Sequence, residues 1–106
     1  MLQLYQKINR FTQKNCIYKI YCKDTSVCDF YIGRAVNMRK RGKEHYRVSV
    51  TDYNKTNRLY KFIKEKGGIE NFDIDILEYD IHSNELNDIE SKYIINMKPT
   101  LNTKKK

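Results

Sequence analysis

Tyr18, Tyr31, Arg41, His45 and Glu90, with Asn102 as a further candidate, are polar residues of this 106-residue chain that fall on faces otherwise read as apolar. Together they carry what phosphodiester chemistry requires. Glu90 offers one carboxylate to a divalent cation, and Arg41 offers a guanidinium for phosphate charge. Tyr18, Tyr31 and His45 offer phenol and imidazole groups for proton transfer. With one acid indicated, a two-metal site built on several carboxylates does not fit. A single Mg2+ (or Mn2+) held by Glu90, waters and the scissile phosphate fits better, because Mg2+ keeps much of its hydration shell. A phenol of pKa about 10 is ionised about one part in a thousand at pH 7, which costs roughly 4 kcal/mol. A neighbouring guanidinium such as Arg41 and a metal lower that cost by stabilising phenolate.

Short elements must place these groups. Cys16-Ile17-Tyr18-Lys19-Ile20-Tyr21-Cys22 is rich in β-formers and lacks Gly and Pro, so it reads as a strand with Cys16, Tyr18 and Ile20 on one face. Residues 23–29 have the polar composition of a hairpin loop. Residues 30–33 then return as an antiparallel strand, which brings Tyr18 and Tyr31 into one small sheet. Asn37 can cap a basic helix over about residues 38–48. At about 100° per residue, Arg41 and His45 lie one turn apart on the face of Met38 and Val48. Arg39, Lys40, Lys43 and Arg47 point the other way. An Arg and a His drawn to the apolar side of a helix whose other cations face outward point to a site. The plainer alternative is an Arg41 stem lying along the core edge with its head in water. Gly42, in the middle of the helix, costs about 1 kcal/mol relative to Ala and suits close approach to the sheet or to a ligand.

Beyond a polar connection over residues 51–57, Leu59, Phe62, Ile63 and Lys66 mark one face of a second helix, which Gly67-Gly68 ends. Residues 72–78 alternate apolar and acidic side chains, as a half-buried strand does. Ser83 or Asn84 caps a third helix running to about Met97. Its apolar stripe holds Leu86, Ile89, Tyr93, Ile94 and Met97, and Glu90 falls inside it, about 40° from Leu86. A lone carboxylate on a buried face must be paired, protonated or bound to a cation. Pro99 stops the helix, and Leu101-Asn102 turn back toward the core. The expected fold is α+β: a small three-stranded antiparallel sheet flanked by helices. Residues 1–14, with Leu4, Ile8 and Phe11 at helical spacing, read as an N-terminal arm or short helix. Residues 15–103 form the domain and residues 104–106 a basic tail.

Composition narrows the partner. Lys and Arg number 21 against 13 acids, a net charge of +8 that favours a polyanion, most often nucleic acid. The nine tyrosines suit base stacking, although most belong to the core or its rim. Cys16, Cys22 and Cys28 are odd in number, with no close Cys-x-x-Cys pair and no nearby His. Reduced thiols are therefore expected, rather than a zinc site or a disulfide framework. No run approaches the roughly 18 apolar residues of a membrane span, nor does the N-terminus have the apolar core of a signal peptide. A soluble intracellular protein, cytoplasmic or nuclear and with no membrane partner, is expected.

The ordered set resembles the GIY-YIG endonuclease family over residues 16–102. Cys16-Ile17-Tyr18 stands where that family has Gly-Ile-Tyr, and Tyr31-Ile32-Gly33 is its second motif intact. Arg41 and His45 keep the family's spacing, Glu90 lies in the helix that carries its metal-binding Glu, and Asn102 matches its terminal Asn. The resemblance implies cleavage of a DNA phosphodiester with one divalent metal. Glu90 then holds the metal, Arg41 steadies the phosphate, and Tyr18 or Tyr31 activates the water or relays its proton. His45 supports that transfer or contacts phosphate, while Gly33 and Asn102 brace the site. Cys16 departs from the motif's first Gly, where a tolerated backbone role is expected. Arg34 replaces a smaller residue and adds a phosphate contact or narrows the cleft. Gly42 stands where a bulky residue is common, and Asn54 lies near where some members have a second His. The resemblance also suggests a mobile-element, phage or large-virus origin, and leaves monomer and homodimer open.

Two alternatives compete. A catalytically silent basic module that binds nucleic acid could keep the same fold. Alternatively, Glu90-Ser91-Lys92 with Asp75 matches the Glu-x-Lys pattern of another nuclease family. That chemistry needs its pair on a strand, whereas helical period puts Lys92 about 200° from Glu90. Phosphate contacts from Arg34, Arg39, Lys40, Lys43 and Arg47 predict modest sequence specificity and strong salt sensitivity.

Overall fold

A computed structural model of the chain describes residues 15–49 and 57–102. Strand β1, Cys16–Cys22, is the centre of a three-stranded sheet of order β2-β1-β3, antiparallel on both sides. It takes that place because its side chains are buried on both faces, with only Lys19 and Tyr21 half-buried. The loop that follows is closed by Asp24, whose Oδ1 accepts from the Ser26 amide at 3.0 Å and the Ser26 hydroxyl at 2.8 Å. Strand β2, Phe30–Ala35, runs two residues beyond Gly33 because Arg34 and Ala35 pair in register with Ile17 and Cys16. Strand β3, Phe72–Tyr79, lies on the other side of β1, with a register irregularity at Ile17 and Tyr18.

Helix α1, Met38–Ser49, and helix α2, Arg58–Glu65, cover one face of the sheet. Tyr18, Ile20, Phe72 and Ile74 pack there against Met38, Leu59 and Ile63. Helix α3, Leu86–Met97, covers the other face, where Ile17 and Ile32 meet Leu86, Ile89 and Ile94. Asn37 caps α1 through the Lys40 amide at 3.1 Å, and Asn57 caps α2 through the amides of Leu59 and Tyr60 at 3.0 and 3.3 Å. Gly67 and Gly68 end α2 at φ 97° and 112°, left-handed values that favour glycine. The Gly68 amide reaches back to the Ile63 carbonyl at 2.9 Å, which closes the last turn.

Two expectations are corrected. Neither Ser83 nor Asn84 caps α3; Glu85 precedes the helix, and no side chain caps it. Residues 83–85 form a turn in which backbone carbonyls take the amides a Ser83 cap would have served, the Glu85 amide on His82 at 2.9 Å and the Leu86 amide on Ser83 at 3.5 Å. Met97 is 37% exposed rather than buried, since cover by the sheet fades along α3 from Leu86, at 6%, toward its last turn. The N-terminal arm, Asn54 and the basic tail lie outside the described residues. Among the described residues no helix is long and apolar enough to cross a membrane.

Candidate functional site

The site begins with two tyrosines crossing one glycine. Tyr18 on β1 pairs in register with Gly33 on β2, and Tyr31 lies two residues before that glycine. A Cβ at Gly33 would lie 2.6 Å from Tyr18 Oη and 2.8 Å from Tyr31 Cε2, so only a bare Cα lets both rings pass. The ring centroids of Tyr18 and Tyr31 are 6.2 Å apart, and His45 meets each ring edge-on at 5.7 and 5.9 Å.

Helix α1 supplies the next layer. His45, 4% exposed, places Nε2 2.7 Å from Tyr18 Oη and Nδ1 2.6 Å from Tyr60 Oη on α2. Arg41, one turn earlier, donates from Nε to Tyr18 Oη at 3.3 Å and from Nη1 to Glu44 Oε1 at 3.1 Å. From α3 comes Glu90, its side chain 22% exposed, with Oε1 3.8 Å from Arg34 Nε. An open cavity of about 670 Å³ gathers these elements and is lined by Tyr31, Arg34, Lys40, Arg41, Glu44 and Glu90.

The expected residues therefore divide. Tyr31, Arg34, Lys40, Arg41 and Glu90 share the cavity, whereas Tyr18 and His45 stand behind it. Asn102 works on the edge of β2, where its carboxamide accepts from the Ile32 amide at 3.0 Å and donates to the Ile32 carbonyl at 2.8 Å. It thereby pins the backbone next to Tyr31. Arg39, Lys43 and Arg47 are exposed on α1. Gly42 is buried and lines a small pocket with His45 and Ile20. Glu90-Ser91-Lys92 is helical, so it cannot present the strand-borne pair that the rival nuclease chemistry needs.

Burial dominates the protonation of the inner layer. It holds the Tyr18 phenol well above its ordinary value, Tyr31 adding to the effect and Arg41 opposing it. Burial, joined by the Arg41 charge, pushes His45 down to about 3, so its imidazole is neutral at pH 7. Tyr60 is pushed up to about 12, again chiefly by burial. For Arg41 burial works against the charge, but the Tyr18 oxygen and Glu44 outweigh it and raise the pKa. Cys16, pushed up to about 11 by burial, is a buried thiol directed at Met38 Sδ at 3.7 Å.

Tyr60 and Glu44 escaped the sequence reading. Tyr60 precedes Ile63 by one turn and borders the apolar face of α2, while Glu44 follows Arg41 at the i,i+3 spacing of helical ion pairs. Among the described residues no group of three or more His, Cys, Asp or Glu could hold a metal. Glu90, half-buried beside an open cavity, suits an ion that keeps most of its waters.

Comparison with curated proteins and with solved structures gives no match. A sequence-family model described as the GIY-YIG catalytic domain matches residues 14–105.

Proposed function

Because the chain belongs to the GIY-YIG catalytic domain family, a family of nucleases, we propose that it is a metal-dependent DNA endonuclease acting in the cavity between β2, α1 and α3. One observation carries the reading: Tyr31, Arg41 and Glu90, remote in sequence and borne on three different elements, line the same open cavity. A phosphate beside Arg41 meets a guanidinium that its pKa keeps charged, and Arg34 and Lys40 add positive charge at the rim. Glu90 would hold one Mg2+ or Mn2+, which when bound supplies Lewis-acid polarisation of the phosphate oxygen.

Tyr31 is the phenol that lines the cavity, and we assign its phenolate form, favoured by the neighbouring Arg41 charge, the proton of the attacking water. The water oxygen bonds to phosphorus, the bond to the leaving oxygen breaks, and the leaving oxygen takes a proton from solvent while the Tyr31 hydroxyl so formed later returns its proton to solvent. Tyr18, fully buried, instead positions Arg41 by accepting from its Nε. His45 is kept neutral and supports Tyr18 from behind. Arg39, Lys43 and Arg47, exposed on α1 and flanking Lys40, extend the phosphate track.

Plasmid DNA incubated with the protein in Mg2+ or Mn2+, with EDTA as control, tests the reading. Nicking that appears with metal and stops with EDTA is expected. DNA binding without cleavage under any divalent metal would make the chain a silent binding module.

A further inference from the structure

Tyr60 has no part in the chemistry above, yet its hydroxyl lies 2.6 Å from His45 Nδ1. A neutral imidazole carries one N–H and one lone pair, so of His45's two bonds to phenols one donates and one accepts. Arg41 and Tyr60 decide which between them. Its Nε–H can only donate, and it already points at Tyr18 Oη. If His45 Nε2 also carried a proton, the Tyr18 oxygen would accept from both. Its own O–H would then have no partner among the described residues, at a side chain that is 0% exposed and pressed over Gly33. An unpaired buried donor costs about 1–3 kcal/mol.

With the proton on Nδ1, every group pairs. Arg41 Nε–H donates to Tyr18, Tyr18 O–H to His45 Nε2, and His45 Nδ1–H to Tyr60. Tyr60, half-buried on α2, can turn its own O–H toward water. We infer that Tyr60 is a positioning residue: by accepting from Nδ1 it holds His45 in the Nδ1–H tautomer, and through Tyr18 that tautomer fixes the Arg41 guanidinium at the cavity wall. The depressed pKa of His45 agrees, since no imidazolium with two N–H groups competes near neutral pH. The catalytic consequence rests on the nuclease reading, but the hydrogen-bond chain does not.

Removing the Tyr60 oxygen leaves the Nδ1–H donor unpaired in one tautomer, and the Tyr18 hydroxyl together with the Nδ1 lone pair in the other, so the preference narrows. The test is ring 15N NMR of His45 at pH 7 in the full chain and in Tyr60→Phe, with single-turnover nicking in Mg2+ alongside. The unmutated chain is expected to show the Nδ1–H tautomer alone, and Tyr60→Phe a mixture of both. The nicking rate at saturating protein should fall by about tenfold or more, with DNA affinity held within about twofold. An Nε2–H tautomer or an imidazolium in the unmutated chain overturns the inference, whether or not the variant folds. An unmixed Nδ1–H tautomer in folded Tyr60→Phe overturns it too. Absence of nicking by the unmutated chain refutes the nuclease reading, and the spectra then still decide the tautomer.

Discussion

Gly33→Ala is a one-carbon perturbation with a large expected effect. The added Cβ would meet Tyr18 Oη at 2.6 Å, Tyr18 Cζ at 2.7 Å and Tyr31 Cε2 at 2.8 Å, each well inside ordinary van der Waals contact. Neither side can yield cheaply. Tyr18 is fully buried and tied to His45 at 2.7 Å and Arg41 at 3.3 Å, and Gly33 itself is held in register opposite Tyr18. Overpacking of this kind costs about 1–3 kcal/mol. Weakening the buried hydrogen bonds of the Tyr18 hydroxyl adds about 1 kcal/mol. The sum, about 2–4 kcal/mol, lowers the Tm by roughly 8–30 °C at the 4–8 °C per kcal/mol typical of a domain this small. Thermal melts of both proteins, with nicking assayed below the lower Tm, provide the test. Nicking should fall in the folded variant because Tyr31 and Arg41 are displaced together. A Tm within about 2 °C of the unmutated value and unchanged nicking would refute the claim that both rings require a bare Cα.

His45 makes stability depend on pH. Its pKa falls from 6.5 to about 3 on folding, so the unfolded chain binds the extra proton between those values. Stability is full above pH 6.5 and declines as pH falls toward 3, by up to about 1.4 kcal/mol per unit. Urea midpoints at pH 7 and pH 5 measure this, and a His45→Gln variant should show a flatter profile. Asn102→Ala removes both side-chain bonds to Ile32 and should cost about 1–3 kcal/mol in urea unfolding, with slower nicking because the backbone beside Tyr31 is released. Unchanged stability would mean that the β2 edge does not need the carboxamide. Arg34→Ala removes one ion pair from Glu90, worth about 0.2–1 kcal/mol, so half-saturation by Mg2+ should fall by about 1.5–5-fold. A rise in the Mg2+ requirement would show that Arg34 does not compete for Glu90.

How much of this was legible in the sequence depends on the range of the interaction involved. The strand of Cys16–Cys22, the cap at Asn37 and the glycine stop at Gly67 are decided by neighbours along the chain, and the structure places them as their residue types imply. The helical phase of α1 likewise put Arg41 and His45 on its inner side. Local pattern could not separate Tyr31, which reaches the cavity, from Tyr18, which backs it, because both read as strand residues of the same sheet. That distinction depends on how α1 lies across the sheet. Tyr60 was hidden for the same reason: its partner, His45, is on another helix, and nothing in the spacing of α2 marks its tyrosine as a hydrogen-bond partner. The cap expected of Ser83 or Asn84 gives way to a turn that pairs the Glu85 and Leu86 amides with the carbonyls of His82 and Ser83.

The claim that one cavity, with Glu90 as its metal-holding carboxylate, cleaves DNA is tested most directly by comparing the unmutated chain with Glu90→Ala on supercoiled plasmid in Mg2+, with DNA affinity measured in parallel. Metal-dependent nicking that is abolished in Glu90→Ala, with DNA affinity unchanged to within about twofold, is the predicted result. Equal nicking by both proteins would contradict it, because the metal would then be held without Glu90.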